Sequence, residues 1–564
     1  MPKVIGIGKQ RYDRIIENNL FYIDKTMFIK EWWENQDDVT LITRPRRFGK
    51  TLNMDMLKCF FSNEYKDRGD LFEGLDIWKE EKYREIQGTY PIIFLSFAKI
   101  KQNTYKDAIA GIKRIICDEI QKYIFLKDWD GLADAEKNNL KNITYGMDDV
   151  TAQEAIASLS NYLSRYYGKN VIILLDEYDT PMQEAYVNGY WEELVSFTRS
   201  FFNATFKSNL YLERAVITGI TRVSKESIFS DLNNLKVITV ESDEYSDTFG
   251  FSEEEVFLAL DDFNLSDKKQ IVKEWYDGFT FGSQKDIYNP WSIINFLENK
   301  KIDTYWADTS SNSLINHLIK KSVPEIKELM ELLLKRESIE VTFDDQIVFN
   351  QLDKSKNAIW SLLVASGYLK IDDIEYKGLL LKPWYHISIT NLETVSMFAN
   401  MFAGWFENPD ARYNDFIKSL LNNDLKGMNY YMNKVALATF SYFDTGKNPS
   451  ETLEPERFYH GFVLGLIVEL SDRYEVKSNR ESGFGRYDVM IIPLDKSEKA
   501  IVLEFKVHEN DEEKTLEETV SSALAQIEEK KYDTELINAG VKKENIRHYG
   551  FAFEGKKVLI GTDE

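Results

Sequence analysis

Gly49, Lys50 and Thr51 close the stretch "LITRPRRFGKTL", Leu41 to Leu52. These residue types in this order suit phosphate. Backbone N–H groups and a following helix N-terminus surround the oxygens, a lysine reaches the β/γ-phosphates, and a threonine hydroxyl binds Mg²⁺. The entry is irregular. The pattern G-x-x-x-x-G-K-[ST] wants glycine at position 44, and position 44 is Arg. Arg44-Pro45 must therefore make the entering turn. Arg46 and Arg47 either add positive charge near phosphate, with Arg46 the expected nucleotide contact, or sit on the surface.

A second stretch supplies the other half of such a site. "VIILLDEYD" is an apolar run ending in Asp176 and Glu177. An Asp at a strand end can hold Mg²⁺ together with Thr51, and a Glu beside it can orient or deprotonate the attacking water. A basic turn and a polar strand end are the bland readings of the two stretches taken singly. Their pairing at ordinary P-loop separation favours a nucleotide site. "AVITGITRVS" adds Thr218 at a further strand end, where it can sense γ-phosphate, and Arg222, which can stabilise transferred charge.

The third constellation lies near the C-terminus. "GRYDVMIIPLDKSEKAIVLEFKV" reads as a hairpin of Arg486–Pro493 and Lys499–Val507. Alternation puts Glu504 and Lys506 on one face with Val502, and Leu503 and Phe505 on the other. Pairing brings Asp488 close to Glu504. Two carboxylates and a lysine on one face suit a divalent metal held by Asp488, Glu504 and the Phe505 carbonyl, with Lys506 near the attacking water.

The elements that must position these groups are legible. Val39–Thr43 reads as strand and Leu52–Phe61 as helix; Tyr90–Phe97, Asn170–Leu175 and Leu212–Thr218 read as further strands, separated by helices at Ala152–Tyr167 and Trp191–Lys207. That alternation implies a mostly parallel sheet with helices on both faces. From about residue 250 the pattern turns helical, with Tyr385–Trp405 included. From Pro455 it becomes helix (Glu456–Leu470), three strands, helix (Thr515–Lys531) and two final strands, a small nuclease core. The expected domains are 1–248, 249–440 and 441–564. The chain has 564 residues, 43% hydrophobic, two cysteines and net charge -23. That charge argues against a passive nucleic-acid coat, but an enzyme needs only a local basic groove. No apolar run approaches the roughly 20 residues of a membrane span. No signal-peptide core opens the chain, so the expected location is the cytoplasm.

"FYIDKT", "RPRRFGKT", "LLDEYDTP", "YNPWSI" and "ESGFGRYDVMI…VLEFK" together resemble a bacterial family with an N-terminal AAA-ATPase-like domain and a C-terminal domain of the PD-(D/E)XK nuclease superfamily. The resemblance implies an α/β fold: an AAA/STAND-like P-loop domain, a helical, winged-helix-like middle region and an α/β nuclease-like domain. It implies ATP with Mg²⁺ at Lys50, Thr51, Asp176 and Glu177, and a site using Mg²⁺ or Mn²⁺ at Asp488, Glu504 and Lys506. Glu481 would be a further acid and Gln526 an active-site helix residue. RecB-like members carry Q-x-x-x-Y; here that spacing reaches Lys530, and Tyr532 comes later. The implied function is an ATP-controlled nuclease acting on DNA, with RNA as the alternative substrate and a role in defence or mobile-element conflict. Homo-oligomerisation is compatible with this architecture. The competing reading is a STAND-like ATP switch or scaffold whose nuclease-like domain only binds nucleic acid or a partner.

Overall fold

A computed structural model describes residues 2–221, 228–229, 232–307, 315, 318–319, 324–334, 336–343, 357–405, 413–439, 473–482, 485–508, 513–554 and 557–563. Arg222 and the expected helix Glu456–Leu470 lie outside them. The chain divides into two compact units, Met1–Lys320 with Ser338–Val395, and Lys321–Glu337 with Ser396–Glu564.

The first unit is built on a five-stranded sheet of order β2-β3-β4-β1-β5. Its strands are β1 (Val39–Thr43), β2 (Ile92–Ser96), β3 (Val171–Asp176), β4 (Leu212–Gly219) and β5 (Leu235–Ile238). Every pairing is parallel. All residues of β1 and β3 are buried, as expected for apolar strands covered on both faces. The crossovers are helical and include α1 (Lys50–Phe61), α2 (Tyr105–Gln121), α3 (Asp149–Tyr167), α4 (Thr180–Asn188) and α5 (Trp191–Phe202). Local chemistry sets their ends. Asp148 Oδ1 caps α3 by accepting from Thr151 N at 2.9 Å, and Gly168, at φ +70°, ends it. The apolar helix expected over Trp191–Lys207 changes at Asn203 into one π-helical turn, Asn203–Lys207.

Beyond the sheet, α6 (Glu253–Asp262), α7 (Lys269–Tyr276), the hairpin β6 (Phe279–Phe281) and β7 (Gln284–Tyr288), and α8 (Pro290–Asn299) follow in order. Val256, Leu260, Val272, Tyr276, Ile293 and Phe296 form their shared core. "FYIDKT" joins it: Phe21 and Ile23 pack against that core, and Lys25 Nζ bonds Glu255 at 2.7 Å. A separate three-stranded sheet runs β9-β10-β8, from β8 (Ile339–Val341), β9 (Leu369–Lys377) and β10 (Lys382–Ile389), after α9 (Ala358–Ala365). The expectation of helix from Tyr385 onward is corrected here. Tyr385, Ile387 and Ile389 are buried and the residues between them half-buried, the period of two that makes a strand.

The second unit carries a five-stranded sheet of order β11-β12-β13-β14-β15. These are β11 (Tyr474–Ser482), β12 (Gly485–Pro493), β13 (Ala500–Val507), β14 (Ile546–Glu554) and β15 (Lys557–Thr562). Only β13 and β14 pair parallel. One face buries Ile501, Leu503 and Phe505 with Phe416 and Leu420 of α10 (Tyr413–Leu421) and Met428 and Met432 of α11 (Leu425–Thr439). The other buries Ala500 and Val502 with Ile527 of α12 (Leu516–Lys530). Among the described residues no helix is long and apolar enough to cross a membrane.

Candidate nucleotide and nuclease sites

The phosphate-type loop runs from the end of β1 into α1. Gly49 at φ +79° makes the final turn into the helix, a conformation that costs a side-chain-bearing residue about 1–2 kcal/mol. Lys50 is 4% exposed, and its ammonium donates to the carbonyls of Arg44 and Pro45 at 2.9 and 2.8 Å. Burial lowers its pKa, against the pull of Glu177, Asp179 and Asp176.

Because β4 lies between β1 and β3, three strand ends converge on one point. Thr51 Oγ1 donates to Asp176 Oδ2 at 2.8 Å, and Thr218 Oγ1 donates to Asp176 Oδ1 at 2.6 Å. Asp176 is 1% exposed. Burial raises its pKa, opposed by these hydroxyls. Glu177 turns off the strand at φ +52°, and its Oε2 accepts from Thr180 Oγ1 at 3.1 Å. The structure thus brings Lys50, Thr51, Asp176, Glu177 and Thr218 together. Half-buried Arg46 has its Nη2 at 3.5 Å from Gln183 Oε1.

Arg44 is not a surface residue. It is fully buried and points into the fold. Nη1 donates to the carbonyls of Thr43 at 3.0 Å and Thr239 at 2.6 Å, and Nη2 reaches those of Glu244 and Tyr245, both at 3.4 Å. Its guanidinium lies 4.6 Å over the Phe281 ring. Burial pushes it down to about 9, so it stays charged at neutral pH.

In the second unit the antiparallel pairs Ile491↔Ile501, Met490↔Val502 and Val489↔Leu503 make Asp488 and Glu504 the next facing positions. Asp488 Oδ2 accepts from Phe505 N at 2.8 Å. Glu504 is 2% exposed and half-buried Lys506 follows it on the same strand. Over this face lies α12, whose Gln526 Nε2 donates to Glu504 Oε1. The helix can approach because Gly550, beside Glu504 on β14, has no side chain. A Cβ there would stand 2.8 Å from Val520 O. For Glu481 only the backbone is described, paired with Arg486.

Residues 6–229 match the family described as Predicted AAA-ATPase, AAA-ATPase-like. Residues 454–563 match the PD-(D/E)XK nuclease superfamily. The chain joins an AAA-ATPase-like domain to a PD-(D/E)XK superfamily domain. A protein of Azotobacter chroococcum mcd 1, described as an uncharacterized protein in vnfD 5'region, is 24% identical over 504 residues, 87% of each chain.

In the PD-(D/E)XK domain the irregular spacing after Gln526 has a local cause. Helix α12 ends at Lys530, Lys531 takes φ +54°, and the chain turns back. Tyr532, not residue 530, then receives Gln526 Nε2 on its hydroxyl at 3.3 Å. Burial raises the Tyr532 phenol to about 12, so it stays neutral. In the AAA-ATPase-like domain sequence reasoning missed Asp179. It is fully buried, and its Oδ2 accepts from Ile220 N at 3.0 Å, Thr221 N at 2.8 Å and Thr221 Oγ1 at 2.8 Å. It fixes the segment that leads to Arg222. Its available signal was "DEYDTP", an Asp directly before Thr-Pro, a helix-start pattern.

Proposed function

We propose that this protein is an ATP-controlled, metal-dependent nuclease acting on DNA in the cytoplasm, with residues 1–248 binding and hydrolysing ATP, 249–440 forming the lid and 441–564 cutting. The observation that carries the reading is the Asp488 carboxylate held against β13 beside Glu504, its Oδ2 accepting from Phe505 N at 2.8 Å. With Lys506 on the same strand face, these residues match what hydrolysis of a phosphodiester needs. The donor set of Asp488, Glu504 and the Phe505 carbonyl is all oxygen, the type that Mg²⁺ and Mn²⁺ take. When bound, such an ion supplies the charge that activates water and stabilises the scissile phosphate. Gln526 holds the Glu504 carboxylate in place, and Lys506 orients water and phosphate.

At the other site, Thr51 and Asp176 would hold Mg²⁺, Lys50 the β/γ-phosphates, and Glu177 the attacking water. The sites lie in separate units, which suits control of one reaction by the other. The test uses the purified full chain with linear and circular DNA and RNA, with Mg²⁺ or Mn²⁺, with and without ATP. Metal-dependent DNA cleavage that Asp488→Ala abolishes is the expected result. Absence of cleavage under every condition would leave an ATP switch with a nucleic-acid-binding domain as the better reading.

A further inference from the structure

The phosphate loop is also held by residues far along the chain. The carbonyl of Arg46 accepts from Asn289 Nδ2 at 3.2 Å and from Trp306 Nε1 at 3.0 Å. Both donors are buried. Asn289 spends its Oδ1 capping α8, accepting from Trp291 N at 2.9 Å and Ser292 N at 3.3 Å. Its amide orientation is therefore fixed, with Nδ2 facing the loop. Glu393, also buried, ties the two donors to one frame. Its Oε1 accepts from Trp306 N at 2.5 Å and its Oε2 from Ser292 Oγ at 2.8 Å.

What this clamp does follows from peptide geometry. A trans peptide carries its N–H opposite its C=O, and no cis bond occurs among the described residues. Two donors on the Arg46 carbonyl fix the plane of the Arg46–Arg47 peptide and set the Arg47 N–H on the side opposite them. Arg47 itself stands at φ +66°, with its guanidinium 4.4 Å over the Trp291 ring. Left-handed backbone at Arg47 and again at Gly49 is the form of an anion-binding nest of N–H groups.

We propose that Asn289 and Trp306 are positioning residues of the nucleotide site: they aim the Arg47 N–H at the nucleotide's phosphates. The inference rests on the ATP-binding reading above and names the residues that shape its loop. The clamp takes over the role of loop glycines, which elsewhere let the peptide turn freely, and assigns it to the "YNPW" segment and Trp306.

Two substitutions remove a donor and little else. Trp306→Phe keeps an aromatic ring against Phe279 and Tyr368 and loses Nε1–H. Asn289→Asp keeps the cap acceptor and replaces the amide N–H₂ with a carboxylate oxygen facing the Arg46 carbonyl. Each full-length variant is titrated with fluorescent ATP and ADP analogues and Mg²⁺, and its ATP hydrolysis is measured. Both nucleotides should bind about 5–10-fold more weakly to Trp306→Phe, the effect of about one lost hydrogen bond, and more weakly still to Asn289→Asp. KM should rise with kcat within about twofold, because the contact exists in ground and transition states alike. A merely structural role would lower the active fraction, and so kcat, at constant KM, and that result overturns the proposal. So does parental affinity in Trp306→Phe, which decides the matter alone if Asn289→Asp does not fold. Lys50→Ala runs in parallel. If it too binds ATP like the parent, the nucleotide-site reading itself has failed; if it loses binding while Trp306→Phe does not, only the clamp has failed.

Discussion

Replacing Arg44 with glycine, the residue a phosphate loop ordinarily carries there, should damage the protein rather than repair the loop. The magnitude follows from what the guanidinium touches. Losing it strips the carbonyls of Thr43 and Thr239 of donors at 3.0 and 2.6 Å, at about 1–3 kcal/mol each. It removes the cation from the Phe281 ring, about 1–2 kcal/mol when desolvated. It leaves a void worth about 2–3 kcal/mol and adds about 0.5–1 kcal/mol of glycine entropy. Against these stands relief from burying a charge. Burial pushes the guanidinium down to about 9, and lifting that penalty recovers about 5 kcal/mol. The net loss is about 4 kcal/mol. At about 2–4 °C per kcal/mol this lowers the melting temperature by about 8–16 °C. Arg44→Met fills the void and lifts the same penalty, so its net effect is near zero, and ATP binds it as it binds the parent. Thermal unfolding and ATP titration of both variants decide the point. A glycine variant that melts with the parent refutes the strut, and a tenfold loss of ATP affinity in the methionine variant would make Arg44 a phosphate ligand.

Glu177→Gln should bind ATP normally and hydrolyse it at least about 100-fold more slowly, since the amide keeps the shape and loses the base; equal turnover in a phosphate-release assay would remove Glu177 from the chemistry. Lys506→Ala should retain metal binding by calorimetry and lose cleavage, whereas Asp488→Ala loses both; unchanged metal affinity in the aspartate variant would mean the site is misplaced. Tyr532→Phe removes one acceptor from Gln526 and should slow cleavage severalfold, about the effect of one hydrogen bond, without changing the fold by circular dichroism. His548 gives a pH signature. Burial alone would lower its pKa, but hydrogen bonds with Asp533 at 2.7 Å and Asp563 at 2.5 Å override that and raise it to about 9. A raised folded value means stability that is complete below about pH 6.5 and is lost as pH rises through 9, about 3–3.5 kcal/mol in all. His548→Asn should flatten urea-unfolding stability between pH 6 and 10, and an unchanged slope would disprove the linkage.

The parts of this molecule that were legible in sequence are those set by short periods. Four of the five strands of the first sheet announce themselves by apolar composition, whereas the short, largely half-buried β5 does not, and alternation along Val502–Lys506 fixes which side chains share a face, because a one-residue slip would bury the wrong set. Asp488 and Glu504 could be paired for the same reason. Misreadings arose where two periods compete. Tyr385–Ile389 is apolar enough to continue into the helix that follows, and only the burial of alternate residues separates strand from helix. The spacing from Gln526 to Tyr532 looked wrong because a helical count was carried through Lys531, where the chain is no longer helical. Nothing periodic marks Arg44. A charged residue in a basic run reads as surface, and its acceptors lie about 200 positions away.

These departures share a logic. A motif records the residue types that usually deliver certain atoms to a site, but the site needs the atoms. Glycine at the loop entry is useful because its peptide can turn an N–H inward without hindrance. Here the turn of the Arg46–Arg47 peptide is imposed from outside by Asn289 and Trp306, so position 44 is released from that duty. An arginine can then run inward from it and fasten the carbonyls of residues 239–245 to the end of β1. Its own carbonyl still receives Lys50, and that contact needs no particular side chain. Gln526 shows the same substitution of means, since its hydroxyl partner arrives through a left-handed turn at Lys531 instead of the next helical turn. It follows that restoring the usual residue at either place, glycine at 44 or tyrosine at 530, adds nothing while the long-range partners remain. Glycine at 44 removes a buried strut, and a tyrosine at 530 would compete with Tyr532 for Gln526.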